Sequence, residues 1–472
     1  MEVFELPDDV LTKIVGFFDV EVELVSLLRT CKRLREVASD EQHWESWCEK
    51  KFGLRSSTAP SEPGSSLIKQ CQTWKECVQR WHAVSKHLQL GRVNAALYIR
   101  TCLVWEKVEQ FYQQHMPDIY QTLRPGAAYS EFKETFEIKD QYDPLWCHLE
   151  VVWYSYSIHD GQNLAFDRHR SSNAGSESNP GIDDIFLGMF GGYSAYDHIV
   201  NVRLWACEEI KNYSRPLQPL RPVAGSFNLA KIFGFIGTSP FVCALRANGK
   251  AVRPTPEQPA HLSQGVEISP HFTIWMEEFA RRIDGGVYKC GQFLSDYPMR
   301  SLIQFPSIPG ADGCTRAVTR GIEVVASSLA MVEADHGGWT YSIRIRLLCP
   351  SEEGYLTPAQ RGFTTAQLRG RHWEIEDAGD GKVDVVTGSG VIGKYPLLHE
   401  GGYRNDEHDN PEGNLVDGTF VYQSCSGRMT TERGGFFGGH LVFVPGSIQE
   451  PTGEDFDVIV AKFPLQLPDF VF

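Results

Sequence analysis

No run of 18 or more apolar residues occurs in the 472-residue chain, which excludes a helical membrane span. GxSxG, HExxH, P-loop and kinase signatures are missing, so the hydrolase, zincin, NTPase and kinase chemistries have no visible carrier. A basic excess is missing too. The 45 Lys and Arg stand against 60 Asp and Glu, a formal charge of −15, and no basic stripe is present to release counterions from nucleic acid. The 12 cysteines form no CxxC pair and no ladder, and the chain opens MEVFELPDD rather than with a charged-then-apolar leader. A reducing compartment, cytoplasm and/or nucleus, is therefore expected rather than a secreted disulfide framework.

Apolar material is plentiful. Hydrophobic residues make up 42%, with 11 Trp and 27 Phe, enough for packed cores, and the length predicts two or three domains. Residues 1–52 read as three small helices. Pro7 suits a first helical turn, and Asp8 and Asp9 sit well at its positive dipole end. Val10, Leu11, Ile14, Val15, Phe17 and Phe18 form one apolar stripe; Leu24, Leu27, Leu28, Cys31 and Leu34 form another. Ser39 with Gln42 has the form of a capping box opening a third helix with Trp44 and Trp47. So small a unit buries little of its own surface, so a docking partner is as reasonable as a self-contained bundle.

A linker follows at 53–66 (GLRSSTAPSEPGSS), then a helical connector at 67–94 carrying Trp74, Cys77, Val78, Trp81, Val84 and Leu88. Residues 95–290 mix helices with short strands, an α+β pattern. His148–Tyr156, Ala230–Ile236 and Phe241–Leu245 read as strands and Phe272–Ile283 as an amphipathic helix, while Arg168–Gly181 and Gly249–Gln258 read as polar loops. Residues 291–316, with Pro298, Pro306 and Pro309, read as a second linker. In 317–472 helical periodicity vanishes. Gly321–Val332, Thr340–Leu348, Arg371–Asp377, Thr419–Ser424, Phe436–Val444 and Phe456–Phe463 are short β-type runs, and Tyr341–Arg346 alternates as a sheet with one solvated face would. Roughly seven strands predict an all-β sandwich of immunoglobulin or fibronectin type.

Some strings invite chemistry. Gly388-Ser389-Gly390-Val391-Ile392-Gly393 satisfies GxGxxG, but a dinucleotide site needs a helix directly after it, and Lys394-Tyr395-Pro396 follows instead. Glycines at a bend between strands are the favoured reading, with an anion contact at Gly388, Gly390 and Gly393 the alternative. Glu407, His408 and Asp409 have metal-friendly types but lie in a Gly/Asn/Pro-rich acidic loop, and no metal or other cofactor is expected. His372 reads as a sheet residue, and Cys71 and Cys77 as core. Asp160-Gly161-Gln162 is a turn whose chemistry alone explains Asp-Gly, with partner contact as the alternative.

Three resemblances add to these readings. LPDDVLxxIxxFF followed by LxxLLxxCKRLRxVASDxxxW resembles the F-box, the segment that docks on the Skp-type adaptor of Skp–cullin–F-box ubiquitin ligases. It implies that Leu6, Pro7, Val10, Leu11, Ile14 and Leu24 sit at or near the adaptor interface. The helix running to Leu123-Arg124-Pro125-Gly126-Ala127, the segment Trp153–Gln162 and FTIWMEEFARRI together resemble the SUKH (SMI-type) family. By that likeness Asp160–Gln162 lies at an exposed edge. YSIRIRLL, LRGRHWEIEDAGDGKVDVVTGSGVIGKYPLL, Tyr422-Gln423-Ser424-Cys425 and GGFFGGHLVF resemble the ApaG family over about 310–465.

The three-part order resembles the F-box/SUKH/ApaG proteins of animals and the Skp-interacting F-box/ApaG proteins of plants. It implies a non-catalytic substrate receptor that meets cullin and a RING protein through the adaptor and captures a protein substrate, without nucleic acid or membrane as partners. Two other readings stand beside it: an adaptor-bound module working without cullin, and a small-molecule or phosphate sensor on the sandwich.

Overall fold

A computed structural model describes residues 32–52, 73–76, 79, 104, 107–117, 190–195, 198–204, 221–227, 241–245, 251–253, 266–270, 272–294, 297–331, 338–404, 415–426 and 434–472. The chain divides into two compact units, one of 1–163, 247–249 and 276–281, the other of 164–246, 250–275 and 282–472.

In the first unit, α1 (Lys32–Ala38) and α2 (Glu41–Phe52) are separated by a tight corner. Trp44 and Cys48, one turn apart, put a buried face on α2. The cap differs from the expected one. Asp40, not Ser39, precedes α2, and its Oδ1 accepts from the Gln42 N–H at 3.0 Å, whereas Ser39 still donates its N–H to Arg35 O at 2.9 Å. A carboxylate at the N-cap satisfies an orphan amide and meets the positive end of the dipole, so the boundary falls one residue later. The connector reaches this corner, where the Trp74 N–H donates to Glu41 Oε2 at 2.7 Å. Further on, Val104, Val108, Phe111, Tyr112 and Met116 are buried at the spacing of one helix face.

Among its described residues the second unit contains an eight-stranded sheet. Its strands are β1 (Gly192–Ala195), β2 (His198–Leu204), β3 (Arg221–Phe227), β4 (Phe241–Leu245), β5 (Ala251–Arg253), β6 (Val266–Ser269), β7 (Lys289–Leu294) and β8 (Tyr297–Ile303), in the order β6-β5-β4-β3-β2-β1-β8-β7. Helix α3 (Phe272–Asp284) stands between β6 and β7. Two expectations change here. The polar loop at Gly249–Gln258 contains β5, and the linker at 291–316 contains β8 and part of β7. Pro298 is tolerated because it lies beside the bulge that displaces the β7–β8 register between Gln292 and Leu294. The segment after β8 is packed rather than loose: Phe305 joins Tyr193 and Met331 in one core cluster. The strand expected at 148–156 and the one at 230–236 lie outside the described residues, as does the polar loop at 168–181.

The C-terminal half is a two-layer β-sandwich. One layer orders β17 (Phe420–Ser426), β11 (Trp339–Leu347), β10 (Ile322–Ala330) and β9 (Thr315–Thr319). The other orders β16 (Leu415–Asp417), β15 (Gly402–Arg404), β14 (Leu397–His399), β12 (Ala366–Asp377), β18 (Gly435–Pro445) and β19 (Phe456–Leu465), with β13 (Val383–Ser389) paired to β12. A short helix, α4 (Pro358–Arg361), precedes β12. Aromatic rings tie the layers together: Tyr341 of β11 lies 4.5 Å from Phe437 of β18, which stacks on Phe463 of β19 at 5.2 Å. Each β run expected from the sequence is a strand here.

The far face of β11 is not solvated as its alternation predicts. Thr340 and Ser342 are buried, and an Arg344 amino nitrogen donates to Pro306 O at 2.8 Å and Ser327 Oγ at 2.7 Å. Polar side chains there meet a strap of backbone instead of water. Burial pushes the Arg344 guanidinium below its usual value and the neighbouring Cys314 thiol above its own.

Candidate functional site

The GxGxxG string lies at the end of β13 and in the turn after it. β12 and β13 pair antiparallel with Arg371 opposite Gly388 and Gly370 opposite Ser389. Gly390 then adopts φ 57° and its N–H donates to Arg369 O at 2.9 Å. Val391 and Lys394 exchange both backbone hydrogen bonds, at 3.0 and 2.9 Å, around Ile392 (φ 44°) and Gly393 (φ 79°). Positive φ at both central positions marks a type I′-like turn. Gly390 is required by space as well, since a Cβ there would stand 2.6 Å from Lys394 O. Arg371 clamps the bend by donating from Nη1 to Ser389 O at 3.1 Å and Gly390 O at 2.6 Å.

This geometry is not a dinucleotide site. The turn leads through Tyr395 and Pro396 into β14, so no helix N-terminus faces a phosphate, and the N–H groups of Gly390, Val391 and Lys394 already serve protein carbonyls. Gly388 sits against the Arg371 guanidinium. The string therefore shapes a rigid surface bend with a cationic side chain beside it.

Around the bend the sandwich presents an apolar edge. β13 has no ladder partner other than β12 among the described residues, and Val383, Val385 and Val386 are exposed. Directly opposite residues share a face, so Val386 is on the same side as buried Trp373; its exposure marks where the facing layer ends. On the outer face run Val383–Glu376–Phe436 and, two rows on, Thr387–His372–His440–Ile459. His372 is a sheet residue there, its ring stacked on His440 at 4.7 Å, with Phe436 and Ile459 exposed nearby. A free strand edge with exposed valines can accept another extended segment.

Leu6, Pro7, Val10, Leu11, Ile14 and Leu24 lie outside the described residues, as do Asp160, Gly161, Gln162, Cys71, Cys77, Glu407, His408 and Asp409. Of the expected site residues, Gly388, Gly390 and Gly393 are brought together in one bend. The sequence reading did not single out Arg371 as its clamp, nor the exposed edge of β13. The edge had a readable signal: the β-branched Val383, Val385, Val386 and Thr387 come soon after the Gly379–Gly381 turn.

Comparison with known proteins bears on both ends of the chain. The F-box-like family profile matches residues 3–50, and the ApaG domain profile matches residues 330–405, from the end of β10 through β15. F-box protein SKIP16 of Arabidopsis thaliana is 30% identical over 468 residues, covering 93% of this chain and 93% of that protein. F-box only protein 3 of Homo sapiens is 21% identical over 477 residues, 98% of this chain and 83% of that protein. Protein ApaG of Xanthobacter autotrophicus is 29% identical over 159 residues, 33% of this chain and 94% of that protein. An F-box at one end, an ApaG sandwich at the other and similarity across nearly the full length place the chain in the family of ApaG-containing F-box proteins to which SKIP16 belongs.

Proposed function

We propose that this chain is the substrate-recognition subunit of a Skp–cullin–F-box ubiquitin ligase. The observation that carries the reading is the F-box-like match at 3–50 in a chain related to F-box protein SKIP16 over 93% of its length. Leu6, Pro7, Val10, Leu11, Ile14 and Leu24 dock the Skp-type adaptor, which brings cullin and a RING protein. The α+β region, read as SUKH-like, and the ApaG sandwich hold a protein substrate. Their contacts include the Asp160–Gln162 turn, the Gly388–Gly393 bend with Arg371, and the exposed valines of β13.

The chain performs no bond chemistry in this reading and uses no cofactor. It raises the effective concentration of a target lysine near a charged conjugating enzyme. The cytoplasm and/or nucleus is the proposed location. Affinity purification of the full chain from cells should recover adaptor and cullin together. Adaptor without cullin would favour the cullin-independent module and refute the ligase reading.

A further inference from the structure

After β19 the chain runs through Gln466–Asp469, exposed and outside any strand, and then turns inward. Val471 and Phe472 are only 3% and 6% exposed. The Phe472 ring stacks on Trp275 of α3 at 5.2 Å and 20°, meets Tyr288 edge-on at 6.1 Å, and lies 5.0 Å from the Arg282 guanidinium carbon. The Trp275 indole N–H donates to Val471 O at 2.9 Å. An aromatic ring is thus held on three sides and the preceding peptide carbonyl is read by a buried donor.

The walls of this recess are braced by contacts that involve no tail residue. Phe190 backs Trp275 at 5.0 Å. Arg282 donates to Tyr288 Oη at 2.8 Å and lies 3.7 Å from the Asp312 carboxylate. A site braced in this way is organised before its occupant arrives, which lowers the ordering cost of binding. Its present occupant, by contrast, hangs on an exposed tether.

We propose that the recess of Phe190, Trp275, Arg282 and Tyr288 is a recognition site for an aliphatic–aromatic peptide pair, filled here by the chain's own Val471–Phe472 and opened to a protein partner that carries the same pair. The tail is then a built-in competitor. A tethered segment acts at an effective concentration of order millimolar, so only a partner held elsewhere on the receptor, or presented locally, displaces it. This deepens the receptor reading above, on which the identity of the partner as a substrate rests; the recess and its ligand chemistry do not depend on it.

The test uses full chains and a fluorescein-labelled peptide of the sequence QLPDFVF. One form carries Val471→Ala with Phe472→Ala; a second is wild type except for a protease site replacing Leu467–Asp469, cut after folding. The peptide should bind the double variant and the cut form at least about tenfold more tightly than the intact chain, which retains its tethered competitor. Replacing the last Phe of the peptide by Ala should remove binding, and Trp275→Phe in the double variant should weaken it by losing the indole donor. Equal binding to all forms, absence of binding to a folded cut chain, or indifference to the peptide's Phe would each overturn the site. Adaptor capture by the same forms reads the ligase role separately, so the two can fail independently.

Discussion

Replacing Glu323 by Gln tests how the outer sheet of the sandwich is held. Its carboxylate takes Arg316 Nε at 2.6 Å and Arg346 Nε at 2.5 Å, and Arg346 also reaches Glu352 at 2.5 Å. Hydrogen bonds to a charged group contribute about 1.5–3 kcal/mol each. The Glu323 side chain is 9% exposed, but those of Arg316 and Arg346 are 27% and 31%, so both guanidinium groups stay partly hydrated when the carboxylate is lost. Discounting for that screening, the pair of bonds amounts to roughly 2–3 kcal/mol. The same loss in local opening energy lowers amide protection in β9, β10 and β11 by roughly 30- to 140-fold at about 1.4 kcal/mol per decade.

Burial raises the Glu323 pKa, but hydrogen bonds from Arg346 and Arg316 and their charges outweigh it, so the group sits below 4.5 in the folded state. A depressed carboxylate stabilises the fold above its unfolded value and loses that contribution as pH falls through the folded value. The gap between wild type and variant should be flat from pH 8 to about 5.5 and shrink below about 4.5. Hydrogen exchange read by mass spectrometry on β9–β11 peptides, both chains compared at each pH, gives the answer. A difference under about threefold at pH 7, or one undiminished at pH 3.5, would show that the ionised Glu323 carboxylate does not hold this sheet.

Other outcomes follow from single residues. Tyr422 is fully buried, its hydroxyl finds no hydrogen-bond partner among the described residues, and burial pushes its pKa well above the ordinary value. Tyr422→Phe should leave urea stability unchanged or raise it by up to about 1 kcal/mol, since an unsatisfied buried hydroxyl is removed. Gly390→Val forces a branched side chain into φ 57° against Lys394 O and should cost about 1–3 kcal/mol, seen as faster exchange in peptides spanning 388–398. Burial pushes the Cys290 thiol up to about 12, so its alkylation by iodoacetamide at pH 8 should run about a thousandfold slower than that of an unperturbed thiol.

What the sequence made legible follows from what each residue buries. β11, β18 and β19 carry aromatic and β-branched residues that bury against the facing layer, so each reads as a β-type run, with period-two alternation at Tyr341–Arg346 of β11. β13 buries almost nothing on either side, so no burial pattern marks it, and only its β-branched residues after a Gly-rich turn hint at a hairpin. The prolines of 291–316 read as a linker because composition does not reveal a bulge that absorbs Pro298 or a core that takes Phe305. Trp275 is readable as part of an amphipathic helix, but its indole hydrogen bond to Val471 O spans 196 residues and leaves no local pattern. The type I′-like turn at Ile392-Gly393 illustrates a motif whose letters match one function while its setting serves another.

In the proposed receptor, Leu6–Trp47 docks the adaptor while the rest of the chain selects a substrate. The most direct test is the binding of purified Skp-type adaptor to the full chain carrying Leu11→Ala and Ile14→Ala, measured beside wild type with hydrogen exchange of the sandwich as the folding control. The double variant should lose adaptor capture while protection in β10, β11 and β18 is unchanged. Undiminished capture by that variant would contradict this docking role.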